Sequence, residues 1–120
     1  MDTISFTDFR KLDIRIGTVI KAEVPEWSHW VIKLVVDFGS DLGERTIFAG
    51  IMKFYKPEEL KGKQYPFVVN IEPKKIGPEG DESVGMILAA DFVVDKEKSE
   101  EGKPVLFSLS EKVPNGTRVR

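Results

Sequence analysis

A chain of 120 residues with formal net charge −2, no cysteine and one histidine has room for one domain and little more. The missing thiols exclude disulfides, thiolate metal sites and cysteine nucleophiles, and the slightly negative charge argues against a bulk electrostatic nucleic-acid binder. No run approaches the roughly 18 apolar residues that span a bilayer, and the acidic start Met1-Asp2-Thr3-Ile4-Ser5 lacks the basic and apolar parts of a secretory leader, so a soluble, cytoplasmic protein with no membrane partner is expected.

Residues 5–12 read as a short helix capped by Ser5, with Phe6, Phe9 and Leu12 on one face. So short a helix with so large an apolar face needs a surface to cover. From Ile14 the period changes to two: Ile14, Ile16, Thr18, Ile20, Ala22 and Val24 are expected inward, Arg15, Val19, Lys21 and Glu23 outward, with Gly17 a bulge or bend. A second alternation puts Trp30, Ile32, Leu34, Val36 and Phe38 inward and Lys33 outward. Gly39 to Gly43 reads as a hairpin turn and Arg45 to Ala49 as a third strand.

Tyr55 to Gly62 predicts a helical turn, because Pro57 suits a first helical position, Glu58 and Glu59 suit a helix start, and Gly62 suits a stop. A fourth strand follows over Tyr65 to Glu72, a loop over Lys74 to Asp81, and a fifth strand over Gly85 to Val94. Asp95 to Lys103 is a charged loop, Val105 to Leu109 a last short strand, and Pro114-Asn115-Gly116 a turn. Three strands, a short helix and two strands give an all-β protein in the order of a five-stranded Greek-key OB-fold barrel, with an SH3-like barrel as the competitor. The expected organisation is one domain over 1–120: an N-terminal helix (1–12), the barrel (13–94) with a short helix between strands three and four, and a C-terminal extension (95–120).

Catalysis has little to work with. His29 lies between Trp27 and Trp30 in the loop after strand one, with no ligand-spaced cluster and no orienting partner, so neither a metal site, a cofactor nor an enzyme is expected. Binding is better supplied. Residues 1–75 hold 12 Lys/Arg against 11 Asp/Glu, and residues 76–120 hold 6 against 9, so a basic patch must be local and come from the first part of the chain. Arg15 and Lys33 project outward from the first two strands, and Lys74 and Lys75 open the loop between strands four and five. That loop and the one after strand one flank the nucleic-acid face of an OB-fold. Trp27, in the latter loop, offers a base-stacking surface; Trp30 continues the inward stripe and is read as core.

Several blocks in order resemble the tRNA-binding domain family: Leu12 to Gly17, Arg45 to Ile51, Tyr55 to Lys63, Val69 to Lys75 and Ser83 to Ala90. That family includes C-terminal domains of bacterial methionyl-tRNA synthetases, archaeal β-subunit-like proteins, stand-alone tRNA-binding proteins and the CsaA chaperones. The resemblance implies an OB-fold that recognises tRNA by shape and is accessory to, or related to, a methionyl-tRNA synthetase. It also implies Ser83 and Met86 on the RNA face, near Asn70. Stand-alone members resemble dimers joined through their terminal segments, which puts Phe6, Phe9 and the residue at position 107, Phe107, at a homodimer interface. The alternative is a CsaA-like secretion chaperone that binds unfolded polypeptide. The loop Val24 to Trp30 and Val84 depart from the family's usual residues, so no loop contacts are carried over.

Overall fold

The computed structural model describes residues 1–93 and 102–120. Val94 and most of the charged loop over Asp95 to Lys103, including Lys96 and Lys98, lie outside the described residues. The chain runs α1 (Phe6–Phe9), β1 (Ile14–Glu23), β2 (Ile32–Asp37), β3 (Glu44–Ala49), α2 (Pro57–Leu60), β4 (Gln64–Val68), β5 (Lys74–Ile76), β6 (Asp81–Ser83), β7 (Met86–Ile87), β8 (Ala89–Phe92), β9 (Lys103–Leu106) and β10 (Arg118–Val119). Antiparallel strands in the order β3-β2-β1-β4-β7 wrap into a nearly closed five-stranded barrel. It closes where the Val84 N–H donates to the Thr46 carbonyl at 2.9 Å and the Phe48 N–H to the Ser83 hydroxyl at 2.9 Å.

The barrel interior is filled by Val19, Ile32, Leu34, Val36, Phe38, Ile47, Leu60 and Phe67, all almost fully buried. Burying such side chains stabilises the fold by roughly 1.5–3 kcal/mol each before entropy is counted. Phe38 and Phe67 meet edge to face with centroids 5.3 Å apart, a favoured aromatic geometry. The inward reading of β2 holds from Ile32 to Phe38. That of β1 does not: Val19 is fully buried in the core and Ile20 is only half-buried. The register with β2 slips between Val19 and Lys21, so a bulge at Ile20 reverses the phase. Gly17 is therefore no bulge. It faces the core, where a β-carbon would stand 2.5 Å from Val36 and 2.7 Å from Phe38. Ile14 and Ile16, outside that core cluster, are also buried, and their backbone meets the C-terminal segment: Ile14 pairs with Val119, and the Ile16 N–H donates to the Thr117 carbonyl at 2.8 Å.

The terminal helix is shorter than expected. Ser5 accepts from the Asp8 N–H as a cap, but regular helix ends at Phe9 and only turn-type hydrogen bonds carry on to Leu12. The stretch expected as one loop over Lys74 to Asp81 is largely a hairpin, β5–β6, turned by Gly77 and Gly80, both at positive φ. The fifth strand breaks at Leu88: β7 stays in the barrel, while β8 leaves it and pairs with β9. Accordingly the strand expected over Val105 to Leu109 lies over Lys103–Leu106, and one further short strand, β10, follows at Arg118–Val119. The Tyr55 hydroxyl fixes β9 by donating to the Pro104 carbonyl and accepting from the Leu106 N–H. The turn at Pro114-Asn115-Gly116 returns the chain to β1, where Asn115 accepts from Thr18 at 2.6 Å and from Gln64 at 3.1 Å.

Candidate nucleic-acid interface

Four strands set one row of residues across the outside of the barrel. Lys33 on β2 lies opposite Phe48 on β3, the Phe48 N–H donates to Ser83 on β6, and Ser83 lies opposite Lys74 on β5. With strands about 4.8 Å apart, Lys33 and Lys74 stand roughly 15 Å from each other. Lys75, next along β5, lies opposite Glu82, and Glu23 lies opposite Lys33 on its other side. The ion pairs among the described residues are Lys11–Asp8, Arg15–Asp13 and Arg118–Asp13, so Lys33, Lys74 and Lys75 make none there. Their ammonium groups remain available to an anion.

Above this row sits an aromatic group. Trp27 is half-buried, with Trp30 at 6.0 Å and Phe48 at 6.1 Å between ring centroids, and Gly77 pressed against its benzo ring. The loop after β1 is thereby locked to the β5–β6 hairpin. Ser28 holds the same loop from inside: its buried hydroxyl donates to the Val31 carbonyl and accepts from the Trp30 and Val31 N–H groups. That turn rotates Trp30 off the inward stripe. Expected in the core, it is exposed instead.

The other expected contacts are placed elsewhere. Arg15 lies opposite Phe67 at the start of β1, whereas Lys33 lies opposite Glu23 at its end, so the two do not share a patch. The Arg15 guanidinium is engaged with Asp13, Nε to Oδ1 at 2.6 Å, and with the Gly116 carbonyl. The Arg15 hydrogen bond holds the Asp13 carboxyl below its ordinary value, against the opposing effect of burial and with help from Arg118 and Arg45; the same bond raises Arg15. Asn70 belongs to this cluster, accepting from the Asp13 N–H at 2.9 Å and donating to the Lys11 carbonyl at 2.6 Å. Ser83 is buried and its hydroxyl is committed to the barrel closure, while Met86 is exposed on β7 opposite Val68.

A cavity of about 520 Å³ lies away from the row, between α2 and the C-terminal segment, lined among others by Tyr55, Lys63, Tyr65 and Lys112. Burial, then Tyr55 and Glu59, raise the Tyr65 hydroxyl above its ordinary value. No group of three or more His, Asp or Glu side chains able to hold a metal ion occurs among the described residues. Nor is any described helix long and apolar enough to cross a membrane.

Residues 14–118 match the family model described as "Putative tRNA binding domain". The chain belongs to this tRNA-binding domain family. The domain is 45% identical over 118 residues to the methionine–tRNA ligase of Archaeoglobus fulgidus, covering 98% of this chain and 16% of the ligase. It thus spans about a sixth of the length of that relative. Among solved structures it is similar to a MetRS-related protein from Pyrococcus horikoshii, at 42% identity and TM-score 0.85 with both chains fully covered. It is also similar to the chaperone CsaA from Bacillus anthracis, at 36% identity and TM-score 0.80 over 99% of this chain and 100% of that one. The domain is therefore a tRNA-binding domain related to methionyl-tRNA synthetases. What the residue pattern alone missed is the exposure of Trp30 and the packing of Phe48 on Trp27. Ser28, a hydroxyl two residues before Trp30, was the available signal, since such residues capture nearby backbone N–H groups and turn the chain.

Proposed function

We propose that this domain is a non-catalytic, cytoplasmic tRNA-binding module that works as a homodimer. It grips tRNA by backbone shape and serves as an accessory to a methionyl-tRNA synthetase. The observation that carries the reading is the Lys33–Phe48–Ser83–Lys74 row, whose terminal lysines make no ion pair among the described residues, in a chain of this family. Spaced cations on a rigid sheet suit a phosphate backbone, and reading RNA through its backbone and 2′-hydroxyls needs no base-specific code. Asn70 and Arg15, tied to Asp13, serve this reading as supports of the N-terminal segment, and Met86 is exposed on β7.

Dimer formation is supported by apolar side chains left open on the terminal segments: Phe6 is 73% exposed, Phe9 37% and Phe107 49%. The experiment is a titration with tRNA at several salt concentrations. Affinity should fall steeply with salt as counterions are released. A salt-insensitive protein that instead retains unfolded polypeptide would favour the second reading, a chaperone, which the structural likeness to CsaA and the same open apolar surface support.

A further inference from the structure

In the proposed function the lysine row serves the phosphates and leaves the aromatic pair above it unused. Its two members are held differently. Trp27 is wedged between Trp30, Phe48 and Gly77, where any β-carbon would overlap its ring. Trp30 is 51% exposed, yet its backbone is pinned on both sides: its N–H donates to Ser28 at 3.2 Å, and its carbonyl accepts from the Met52 N–H at 3.2 Å. A flat apolar ring held open on a fixed backbone is preorganised for a flat partner.

We infer that Trp30 is the stacking platform for one unpaired nucleobase, and that Trp27 is a positioning residue which braces that platform against the β5–β6 hairpin. The inference rests on the tRNA reading and narrows it: the bound RNA must present an unstacked base beside the phosphates that meet Lys33. Lys33 sits one strand across from Phe48, the ring on which Trp27 packs, so a nucleotide stacked on Trp30 has a cation available for its backbone. A peptide side chain is the weaker fit, because the loop around Trp30 carries exposed polar side chains at Glu26 and His29.

The test uses the full chain and its tryptophan fluorescence. It is titrated at about 0.15 M salt with whole tRNA, with an RNA duplex, and with a single-stranded oligoribonucleotide of about eight nucleotides, within the ~4–16 that one OB-fold covers. The single strand should quench the fluorescence, and Trp30→Ala should weaken its binding roughly 5- to 150-fold. Trp30→Phe should recover most of the loss. The slope of affinity against salt should stay unchanged, because no cation is removed. Trp30→Leu, which keeps apolar bulk without a ring, carries the same expected loss and serves if the alanine variant does not fold. Duplex binding should be unaffected by any of these changes. Equal weakening of duplex and single strand would overturn the inference, as would single-strand binding that ignores Trp30. If the native chain binds tRNA but Trp30→Ala changes nothing, the platform falls and the tRNA reading stands. If the native chain does not bind whole tRNA, the tRNA reading itself falls.

Discussion

Arg15 and Asp13 form a forked ion pair at the start of β1, with Nε to Oδ1 at 2.6 Å and a second nitrogen to Oδ2 at 3.2 Å. Two residues apart on one extended segment, they hold the N-terminal segment to the barrel together with Asn70 and Arg118.

Because the Asp13 carboxyl titrates below its ordinary 3.8 in the folded chain, the bond favours the folded state at every pH above that value. The advantage is lost as pH falls through the lowered folded value. Asp13→Asn should cost about 1 kcal/mol at neutral pH, the pair being only partly screened. Urea melts of the two proteins should converge below about pH 3.8. Curves that stay equally far apart from pH 7 to pH 3 would sink the assignment.

Gly17→Ala should destabilise the barrel, because its new β-carbon would meet Val36 and Phe38 inside a packed core. Overpacking of this kind costs about 1–3 kcal/mol. Thermal melting of the variant checks it, and an unchanged midpoint would mean that β1 faces the other way.

Replacing Lys33, Lys74 and Lys75 together by alanine should weaken tRNA binding and flatten its salt slope by roughly 0.7–0.9 for each phosphate no longer neutralised. The control replaces Lys56, Lys61 and Lys63, which surround α2, away from the row. If both triple variants bind alike, the row is not the RNA face.

Phe6→Ala with Phe9→Ala should cost the folded single chain much less than the loss of two core phenylalanines, since Phe6 is largely and Phe9 partly open to solvent there. The apolar face read from the sequence predicts a weaker dimer and a weaker fold with it; with the rings exposed, the expected effect falls on association: sedimentation should show weaker dimers at unchanged circular dichroism. An unaltered sedimentation profile from a dimeric native chain would place the interface elsewhere.

The parts of the fold legible in the residues were those where side-chain chemistry repeats without interruption. Ile32, Leu34, Val36 and Phe38 are one such run, and Pro57 with Glu58 and Glu59 opens α2 as its chemistry requires. Phase was lost where a single backbone event reset it. Gly17 has no side chain to reveal which way it faces, and the bulge at Ile20 leaves an apolar residue on either side of the switch. The β5–β6 hairpin was hidden because Pro73, Gly77, Pro78 and Gly80 carry the signature of a loop, and its ladder is only three residues long. Within the site, Lys33 and Lys74 stand at the two ends of one row with Lys75 beside Lys74, while Arg15 lies at the other end of β1. A period-two pattern says which face a residue takes, not how far along a neighbouring strand its partner lies; only the register does that.

The pairing of β1 with β10 has a mechanical side. Ile14 lies opposite Val119 and Arg15 opposite Arg118, so the two ends of the ladder lie next to each other. Tension drawing residues 12 and 120 apart would load these hydrogen bonds one at a time, as a zipper is opened, instead of shearing them all at once. The first grip to go would be Arg118 on the carbonyls of Arg10 and Leu12. A pull at the ends would thus peel away α1 and the final strand, while the interlocked strands β1 to β4 kept their shape and the lysine row stayed in place.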